Sequence, residues 1–216
     1  MDVSCSILAL PILALVTLLV WLIMAVVSPG PVFFRQERVG YLGNRFRLFK
    51  FRSMYPLAET GSHQQHVAKL MRSRVPMQKM DGRGDARLFP GGWLLRASGL
   101  DELPQIINVL LGDMSLVGPR PCIPYEWEQY SSHQRKRFSS IPGLTGLWQV
   151  SGKNKTTFDE MIRLDIEYAQ RVSPQLDLRI MMLTIPALIS QVVDVRNERR
   201  GPVAKNSFRP KLVPHG

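Results

Sequence analysis

Cysteine and acidic residues are both scarce in this chain of 216 residues. The two cysteines, Cys5 and Cys122, lie far apart, and Cys5 borders an apolar segment. This argues against a disulfide framework or a zinc site built from cysteines. The 17 acidic residues are outnumbered by 28 lysines and arginines, which leaves a net charge of +11. Such a charge favours phosphate esters, anionic lipid surfaces or nucleic acid as partners, without deciding among them.

Charged side chains are missing from residue 3 to residue 34, and the run Ile7–Val27 is almost wholly apolar. Its 21 residues match the roughly 20 that a helix needs to cross a bilayer core, and exceed a typical signal-peptide core. We predict a membrane-inserted helix, kinked at Pro11 and stopped by the block Ser28–Pro31. Because a strongly basic stretch follows, the rest of the chain is expected on the cytoplasmic face.

Short strands and helices are predicted beyond this segment. Strands are expected at 32–34 and 46–52, separated by glycine-containing turns. The polar region 60–84 is predicted to be a helix flanked by loop, and its two histidines, His63 and His66, are interpreted as surface residues because no third metal ligand lies nearby. Helices are predicted at Asp101–Leu111, with Pro104 in the first turn, and at Thr157–Arg171.

Three further segments have a composition that suggests contact with a membrane. The basic and aromatic segment Tyr125–Phe138 is typical of an amphipathic helix on a membrane surface. The apolar run Leu176–Val193 is interrupted by Pro186, and its charge-free part of 14 residues favours a buried or interfacial helix over a second span. The basic tail from Arg196 is predicted to be disordered or bound to a surface.

Asp101 and Glu102 are the first candidates for chemistry. Adjacent carboxylates at a helix start usually only complement the helix dipole. Here Arg96 and Arg120 lie nearby in the sequence and the basic strand 46–52 is available, and guanidinium groups and helix N-termini bind oxyanions. Two carboxylates beside a phosphate require a divalent cation, and Mg²⁺ is suited to this role. The pattern predicts a phosphoryl-transfer site in which a carboxylate can be the nucleophile.

Five sequence blocks, in order along nearly the whole chain, resemble the bacterial sugar transferase family, the monotopic polyprenyl-phosphate phosphoglycosyltransferases. The blocks are Ser28–Gln36, Lys50–Met54, Leu100–Asn108, Gly112–Pro121 and Pro142–Gln149. The resemblance implies that the N-terminal segment is a re-entrant helix with both ends on the cytoplasmic side. A helix that spans the membrane fully is the alternative.

The resemblance also implies roles for individual residues. Asp101 is implied to attack the β-phosphate of a UDP-sugar and release UMP. Glu102 is implied to assist metal binding or proton transfer during attack by undecaprenyl phosphate, with Mg²⁺ held by Asp101 and Glu102. The residues implied to bind substrate are Lys50, Arg52, Arg96, Gly118, Pro119, Arg120, Pro121 and Gln149. Simpler interpretations are lipid-headgroup contacts for Lys50 and Arg52, a structural role for Arg120 and packing for Gln149.

These observations predict an α+β protein with a membrane-inserted helix at 1–31, a cytoplasmic catalytic domain at 32–195 and a basic tail at 196–216. Short helices, interfacial amphipathic helices and a small β-sheet are expected in the domain. The expected reaction is the first membrane step of exopolysaccharide, capsule, O-antigen or glycoprotein glycan assembly at the bacterial inner membrane.

Nucleic acid is not an expected partner, because the basic residues gather beside membrane segments and no nucleic-acid-binding motif is present. A non-catalytic membrane-tethered scaffold and a protein that binds an anionic polymer are the alternatives to an enzyme. The identity of the sugar and the oligomeric state, a homodimer included, are left open by the sequence.

Overall fold

The protein is represented by a computed structural model that describes residues 1–55, 68, 70–71, 75–77, 87–152 and 156–200. Helices and two small sheets confirm the predicted α+β class. The helices are α1 Asp2–Val27, α2 Gly92–Ser98, α3 Gln105–Leu110, α4 Pro124–Gln129, α5 Ser132–Arg135, α6 Leu147–Val150, α7 Phe158–Gln170 and α8 Pro174–Arg200. The strands are β1 Phe33–Val39, β2 Arg45–Phe51, β3 Ser115–Val117 and β4 Gly143–Thr145, and 3₁₀ turns lie at Tyr41–Gly43, Leu100–Glu102 and Lys136–Ser139.

Helix α1 forms from the apolar run and ends as predicted, where Ser28 donates its backbone N–H to the Met24 carbonyl and Pro29 follows. One stripe of the helix, including Leu13, Val20 and Met24, is buried against the rest of the protein. The other faces of the helix expose large apolar side chains. So large an apolar surface is unfavourable in contact with water. The helix is long and apolar enough to enter a membrane.

Strands β1 and β2 form an antiparallel hairpin that runs in register from the pair Phe33–Phe51 to the pair Val39–Arg45. The two predicted strands are therefore confirmed, and β1 is longer than expected. Strands β3 and β4 form a separate parallel pair. The end of β1 is tied to a distant loop, because Val39 and Cys122 exchange both of their backbone hydrogen bonds.

The main hydrophobic core lies between α7 and the segments that follow β1 and β3. Helix α7 begins at a capping box, in which Thr157 and Glu160 satisfy each other's backbone N–H groups, so the predicted helix is confirmed. The apolar face of α7 packs against Val39, Cys122, Tyr130, Phe138 and Trp148.

The predicted helix Asp101–Leu111 begins later than expected. Asp101 and Glu102 lie in the 3₁₀ turn, and the α-helical hydrogen bonds of α3 begin at Gln105. The reason is Pro104, which has no N–H to donate and stands at the N-cap of α3.

The segment Tyr125–Phe138, which was predicted to be amphipathic and to lie at a membrane surface, does not form one continuous helix. The segment is divided into α4, α5 and a 3₁₀ turn, with extended backbone at Tyr130 and Ser131. Its Arg137 is fully buried against Asp165 instead of facing a membrane. At Arg137, buried charge pairing therefore takes the place of the surface position that the composition suggested, whereas Arg135 and Lys136 are exposed.

The run Leu176–Val193 was predicted to be a buried or an interfacial helix, and the structure does not bury most of its apolar side chains. Helix α8 continues through Pro186 for 27 residues and buries Ile180 and Gln191, while Met182, Ile185 and Ile189 are exposed. By length and composition, α1 and α8 are the two helices in the described part of the chain that could cross a membrane. An interfacial position for α8 stays a prediction.

Parts of two other predictions lie outside the described residues. His63, His66 and most of the region 60–84 belong to this group. Helix α8 extends five residues into the predicted tail, to Arg200, and residues 201–216 lie beyond the described part.

Candidate active site

The Asp101–Glu102 turn is held between α2 and α3 by local backbone geometry. Helix α2 ends at Ser98 and is capped by Gly99, whose left-handed φ of 74° allows the chain to pass directly into the 3₁₀ turn. The N–H of Glu102 donates to the Gly99 carbonyl at 3.0 Å. This arrangement buries the Asp101 side chain, which is 6% exposed, and leaves Glu102 partly exposed beside it.

Lys50 on β2 reaches this turn, and its Nζ lies 3.0 Å from Oε1 of Glu102. Asn108 of α3 fixes the position of the strand, since its side-chain oxygen accepts from the Phe49 N–H at 3.0 Å and its Nδ2 donates to the Arg47 carbonyl at 2.8 Å. Asn108 is fully buried, so this clamp is shielded from water. The predicted neighbours Lys50 and Glu102 are therefore brought together by a residue that sequence reasoning had not singled out.

Arg52 is engaged at the end of α1. Its Nε donates to the Pro31 carbonyl at 2.8 Å, and its two terminal nitrogens donate to Oγ and the carbonyl of Ser28 at 2.8 and 2.5 Å. Burial lowers the pKa of this guanidinium. These contacts give Arg52 a structural role at the helix break, and its predicted contact with substrate phosphate stays a prediction.

The loop Gly118–Pro121 is positioned by the parallel pair β3 and β4. Gly118 donates to the Thr145 carbonyl at 2.8 Å, and Gly143 donates to the Pro119 carbonyl at 3.0 Å. A Cβ at Gly118 would overlap the Ile141 carbonyl, so only glycine permits this close approach. Gly118 is therefore required for the close packing of the loop backbone against the backbone of residues 141–143.

Arg120 in this loop forms a two-pronged ion pair with Glu126, with its NH1 at 3.0 Å from Oε2. Burial lowers the pKa of Arg120 and raises that of Glu126, but in both cases the ion pair, its hydrogen bonds and other nearby charges together outweigh burial. The Arg120 pKa is therefore raised above its ordinary range, and the Glu126 pKa is lowered. The structural interpretation of Arg120 has direct support, while part of its side chain, 23%, stays exposed.

A second buried pair supports the first. Arg137 pairs with Asp165, donates to the Arg120 carbonyl at 2.9 Å, and donates to the Tyr130 hydroxyl at 3.1 Å. Sequence reasoning missed Glu126, Arg137 and Asp165 as a group. One signal was available, because Asp165 lies on the apolar face of α7.

Gln149 and Glu102 both line a cleft of about 550 Å³. The cleft has a largely apolar wall contributed by α8, including Met181, Thr184 and Leu188. Helix α8 is fixed at this wall by a hydrogen bond between the hydroxyls of Thr145 and Thr184, 2.7 Å apart. The structure therefore joins the carboxylate turn to a space that can accept an apolar ligand.

Arg96 stands in the last turn of α2, next to the carboxylate turn. Its backbone carbonyl, together with that of Ala97, accepts from the side chain of Gln191 on α8, at 3.2 and 3.0 Å. The α2 end and α8 are therefore joined close to the cleft.

The carboxylate turn offers two protein ligands to a cation, Asp101 and Glu102. No group of three or more metal-ligating side chains occurs among the residues that the structure describes. Mg²⁺ is often held by one or two carboxylates and completes its shell with substrate phosphates and water. The oxygen donors of the turn therefore fit Mg²⁺ only as a site that the substrate completes.

A family model described as bacterial sugar transferase matches residues 1–191. The chain is 43% identical over 161 residues to galactosyl transferase CpsE of Streptococcus agalactiae, covering 74% of this chain and 35% of that protein. It is 37% identical over 193 residues to exopolysaccharide production protein ExoY of Sinorhizobium fredii, covering 87% and 83%. It is 38% identical over 198 residues to UDP-glucose:undecaprenyl-phosphate glucose-1-phosphate transferase of Caulobacter vibrioides, covering 88% and 68%.

This chain therefore belongs to the bacterial sugar transferase family, as the sequence blocks predicted. It spans about a third of the length of CpsE and most of the length of ExoY.

Proposed function

We propose that this protein transfers a sugar 1-phosphate from a UDP-sugar to undecaprenyl phosphate, with Asp101 as the nucleophile. The observation that carries the proposal is the buried Asp101 in a turn whose Glu102 meets Lys50 and also lines the cleft. Support for the substrates comes from the name of the Caulobacter relative, which specifies UDP-glucose and undecaprenyl phosphate. Support for a role in exopolysaccharide production comes from the name of the Sinorhizobium relative.

In the first step, a carboxylate oxygen of Asp101 attacks the β-phosphorus of the UDP-sugar. A new bond forms between this oxygen and phosphorus, the bond from phosphorus to the α,β-bridging oxygen breaks, and UMP leaves with the bonding electrons. The sugar phosphate is then held on Asp101 as an acyl phosphate. Lys50 lies close enough to Glu102 to help neutralise the charge that gathers beside it.

In the second step, a phosphate oxygen of undecaprenyl phosphate attacks the same phosphorus. The bond between phosphorus and Asp101 breaks, which restores the carboxylate and leaves a lipid diphosphate sugar. Glu102 is proposed to assist this attack through metal binding or proton transfer. Arg96, the Gly118–Pro121 loop and Gln149 are proposed to position the nucleotide sugar.

Mg²⁺ is part of the proposal, held by Asp101 and Glu102 together with substrate oxygens. When bound, it would neutralise the diphosphate and so allow a carboxylate to approach an anionic substrate.

The apolar cleft beside Glu102 is proposed to receive the first isoprene units of the lipid. Its α8 wall includes Met181 and Leu188, and the opposite face of α8 exposes further apolar side chains. A lipid tail could therefore pass from the bilayer to the carboxylate turn without crossing water. This arrangement agrees with a protein bound at the inner membrane with its catalytic domain on the cytoplasmic face.

The proposal is tested by UMP release from the purified full chain in lipid nanodiscs with Mg²⁺, undecaprenyl phosphate and UDP-glucose or UDP-galactose. The Asp101→Asn variant should release no UMP, whereas Asp159→Asn, the same change at an exposed position on α7, should leave release unchanged. When undecaprenyl phosphate is left out of the nanodiscs, the wild type should release a single UMP per protein molecule. A label on the β-phosphate of the UDP-sugar should then stay bound to the protein.

Normal UMP release by the Asp101→Asn variant would exclude Asp101 as the nucleophile. The scaffold alternative would be favoured by two results together. The wild type would release no UMP with any UDP-sugar, and the Asp101→Asn variant would still support glycan assembly in cells.

A further inference from the structure

Arg38 is a buried cation on the face of the hairpin that carries Lys50. It lies opposite Phe46, while Lys50 lies opposite Phe34, in the antiparallel register. Paired residues point to the same face of a sheet, and so do residues two and four positions apart on one strand. Arg38 and Lys50 therefore share a face, about 13 Å apart along the strands. Arg38 is 7% exposed.

The Arg38 side chain is directed along this face by Gln36. The NH2 group of Arg38 donates to Oε1 of Gln36 at 2.7 Å. Gln36 lies on the same strand, between Arg38 and Phe34, the residue that pairs with Lys50. The NH1 group of Arg38 is 3.5 Å from the Pro121 carbonyl. The guanidinium thus lies between the Gly118–Pro121 loop and the Lys50 end of the hairpin.

The guanidinium of Arg38 has donor capacity that the described residues do not use. An arginine carries five N–H donors, and the Nε of Arg38 has no acceptor among the residues that the structure describes, although it is buried. A buried donor without an acceptor costs free energy, which a bound oxyanion would remove.

Charges on both sides act on Arg38. Burial, followed by repulsion from Arg120, lowers its pKa to about 10, and attraction to Glu126, Cys122 and Glu102 acts in the opposite direction. Arg38 thus stays protonated at neutral pH. It lies within electrostatic reach of the substrate-binding loop on one side and of the carboxylate turn on the other.

We propose that Arg38 binds the diphosphate of the nucleotide sugar, with Gln36 as the residue that orients it. This inference rests on the proposed function, since it names a further residue of that site. The hairpin face would then supply Lys50 at the carboxylate turn and Arg38 toward Arg120, so that a diphosphate lies along a row of cationic groups.

The test compares Arg38→Lys with the wild type in the UMP-release assay. Lysine keeps the charge but lacks the planar fork of donors, so KM for the UDP-sugar should rise about tenfold, as expected for a lost charged hydrogen bond. The KM for undecaprenyl phosphate should change less than twofold. Arg35→Lys is the matched control, because Arg35 is exposed on the same strand and lies over the Phe49 ring; its KM values should not change.

Gln36→Glu provides a second variant, because Gln36 is only partly buried and Glu has nearly the same shape. It keeps an acceptor for Arg38 but places a negative charge beside the diphosphate, so it should also raise KM for the UDP-sugar. A third measurement uses UDP with Mg²⁺, followed as a rise in the midpoint of thermal unfolding. UDP should stabilise the wild type and Arg35→Lys, and should stabilise Arg38→Lys much less.

The inference is overturned if Arg38→Lys unfolds at a lower temperature yet retains its KM and its stabilisation by UDP, because this combination indicates a purely structural role. If the wild type binds UDP in an Arg38-dependent way but releases no UMP, the proposed reaction fails and the Arg38 site stands. If UDP has no effect on the wild type, the Arg38 site fails even where UMP release is observed.

Discussion

Single buried charges determine how the Gly118–Pro121 loop is held. Glu126 and Asp165 are almost completely buried, and each pairs with an arginine, Arg120 or Arg137. The Arg137 side chain also binds the Arg120 carbonyl, which joins the two pairs. A buried ion pair is weak support for stability, but the removal of one partner is costly because the other charge is left unpaired. These residues are therefore sensitive positions although none needs to touch substrate.

At this residue scale, Glu126→Gln should destabilise the protein by about 3 kcal/mol at neutral pH. The value is expected at the low end of the range for buried pairs because the Arg120 side chain is 23% exposed and can be partly hydrated. The measurement is thermal unfolding of the two proteins in the same nanodiscs. The matched control is Glu37→Gln, which removes an exposed pair with Arg45 and should cost less than about 1 kcal/mol.

The same pair predicts a dependence on pH. Glu126 has a pKa below its ordinary value of 4.5, since attraction to Arg120 and Arg38 outweighs burial. A carboxyl with a lowered pKa stabilises the fold fully above its unfolded pKa, and this contribution is lost as the pH falls through the folded value. The difference in unfolding temperature between wild type and Glu126→Gln should therefore be constant above about pH 5 and shrink in more acid solution. A difference that grows below pH 4 would contradict this account.

Helix α8 acts as a wall of the site. It is attached to β4 through Thr145 and Thr184, and to the end of α2 through Gln191, which donates to the carbonyls of Arg96 and Ala97. These polar contacts explain how a helix with so many exposed apolar side chains keeps a defined position beside the cleft. The shape of the cleft therefore depends on helix α8 and on the hydrogen bonds that Thr184 and Gln191 form with the rest of the domain.

At the scale of this element, Ala187→Trp should fill the cleft, because Ala187 is one of its lining residues. Overpacking a site costs about 1–3 kcal/mol, so KM for undecaprenyl phosphate should rise about tenfold or more while KM for the UDP-sugar changes little. The control is Ile185→Trp on the exposed face of α8, which should leave both values unchanged. Equal increases in both KM values for Ala187→Trp would argue against a separate lipid cleft.

At the scale of the whole molecule, both ends of α1 contact the domain that carries the carboxylate turn. At one end Arg52 holds Ser28, and at the other an Asp2 carboxylate oxygen lies 3.5 Å from the Leu116 N–H. Ser6, near the start of the helix, is fully buried. A helix of 26 residues is about 39 Å long, so a full span that leaves the domain would separate Asp2 from Leu116 by a bilayer. These contacts are the ones expected of a re-entrant helix, and that topology stays a prediction.

At this largest scale, a cysteine in place of Asp2 should react with a membrane-impermeant maleimide only from the cytoplasmic face. Cys5 is replaced by serine in this experiment, whereas Cys122 can stay because burial raises its pKa to about 12 and keeps the thiol unreactive. A cysteine in place of the exposed Asp159 reports the side of the catalytic domain. Reaction at residue 2 from the periplasmic side alone would show that α1 spans the membrane.

Local patterns in the sequence were enough for several elements. The apolar run with its terminal prolines predicted α1, short apolar and alternating stretches predicted the two strands β1 and β2, and helical spacing predicted α7. The sequence blocks also predicted the family. These features depend on neighbouring residues and on repeated motifs, so no knowledge of the tertiary structure is needed.

Only the tertiary structure decided which charged side chains are buried in pairs and which stay exposed. Arg137 was expected at a membrane surface, but it is buried and paired with Asp165. Arg52 was expected to bind substrate, and in the structure it holds the end of α1. Arg38 was one basic residue among many in the sequence, and the structure shows that it is buried. A charged side chain is stable in the interior only when a partner from a distant part of the chain meets it. Such partners are separated by tens of residues, and the packing of the strands and helices, not the local sequence, brings them together.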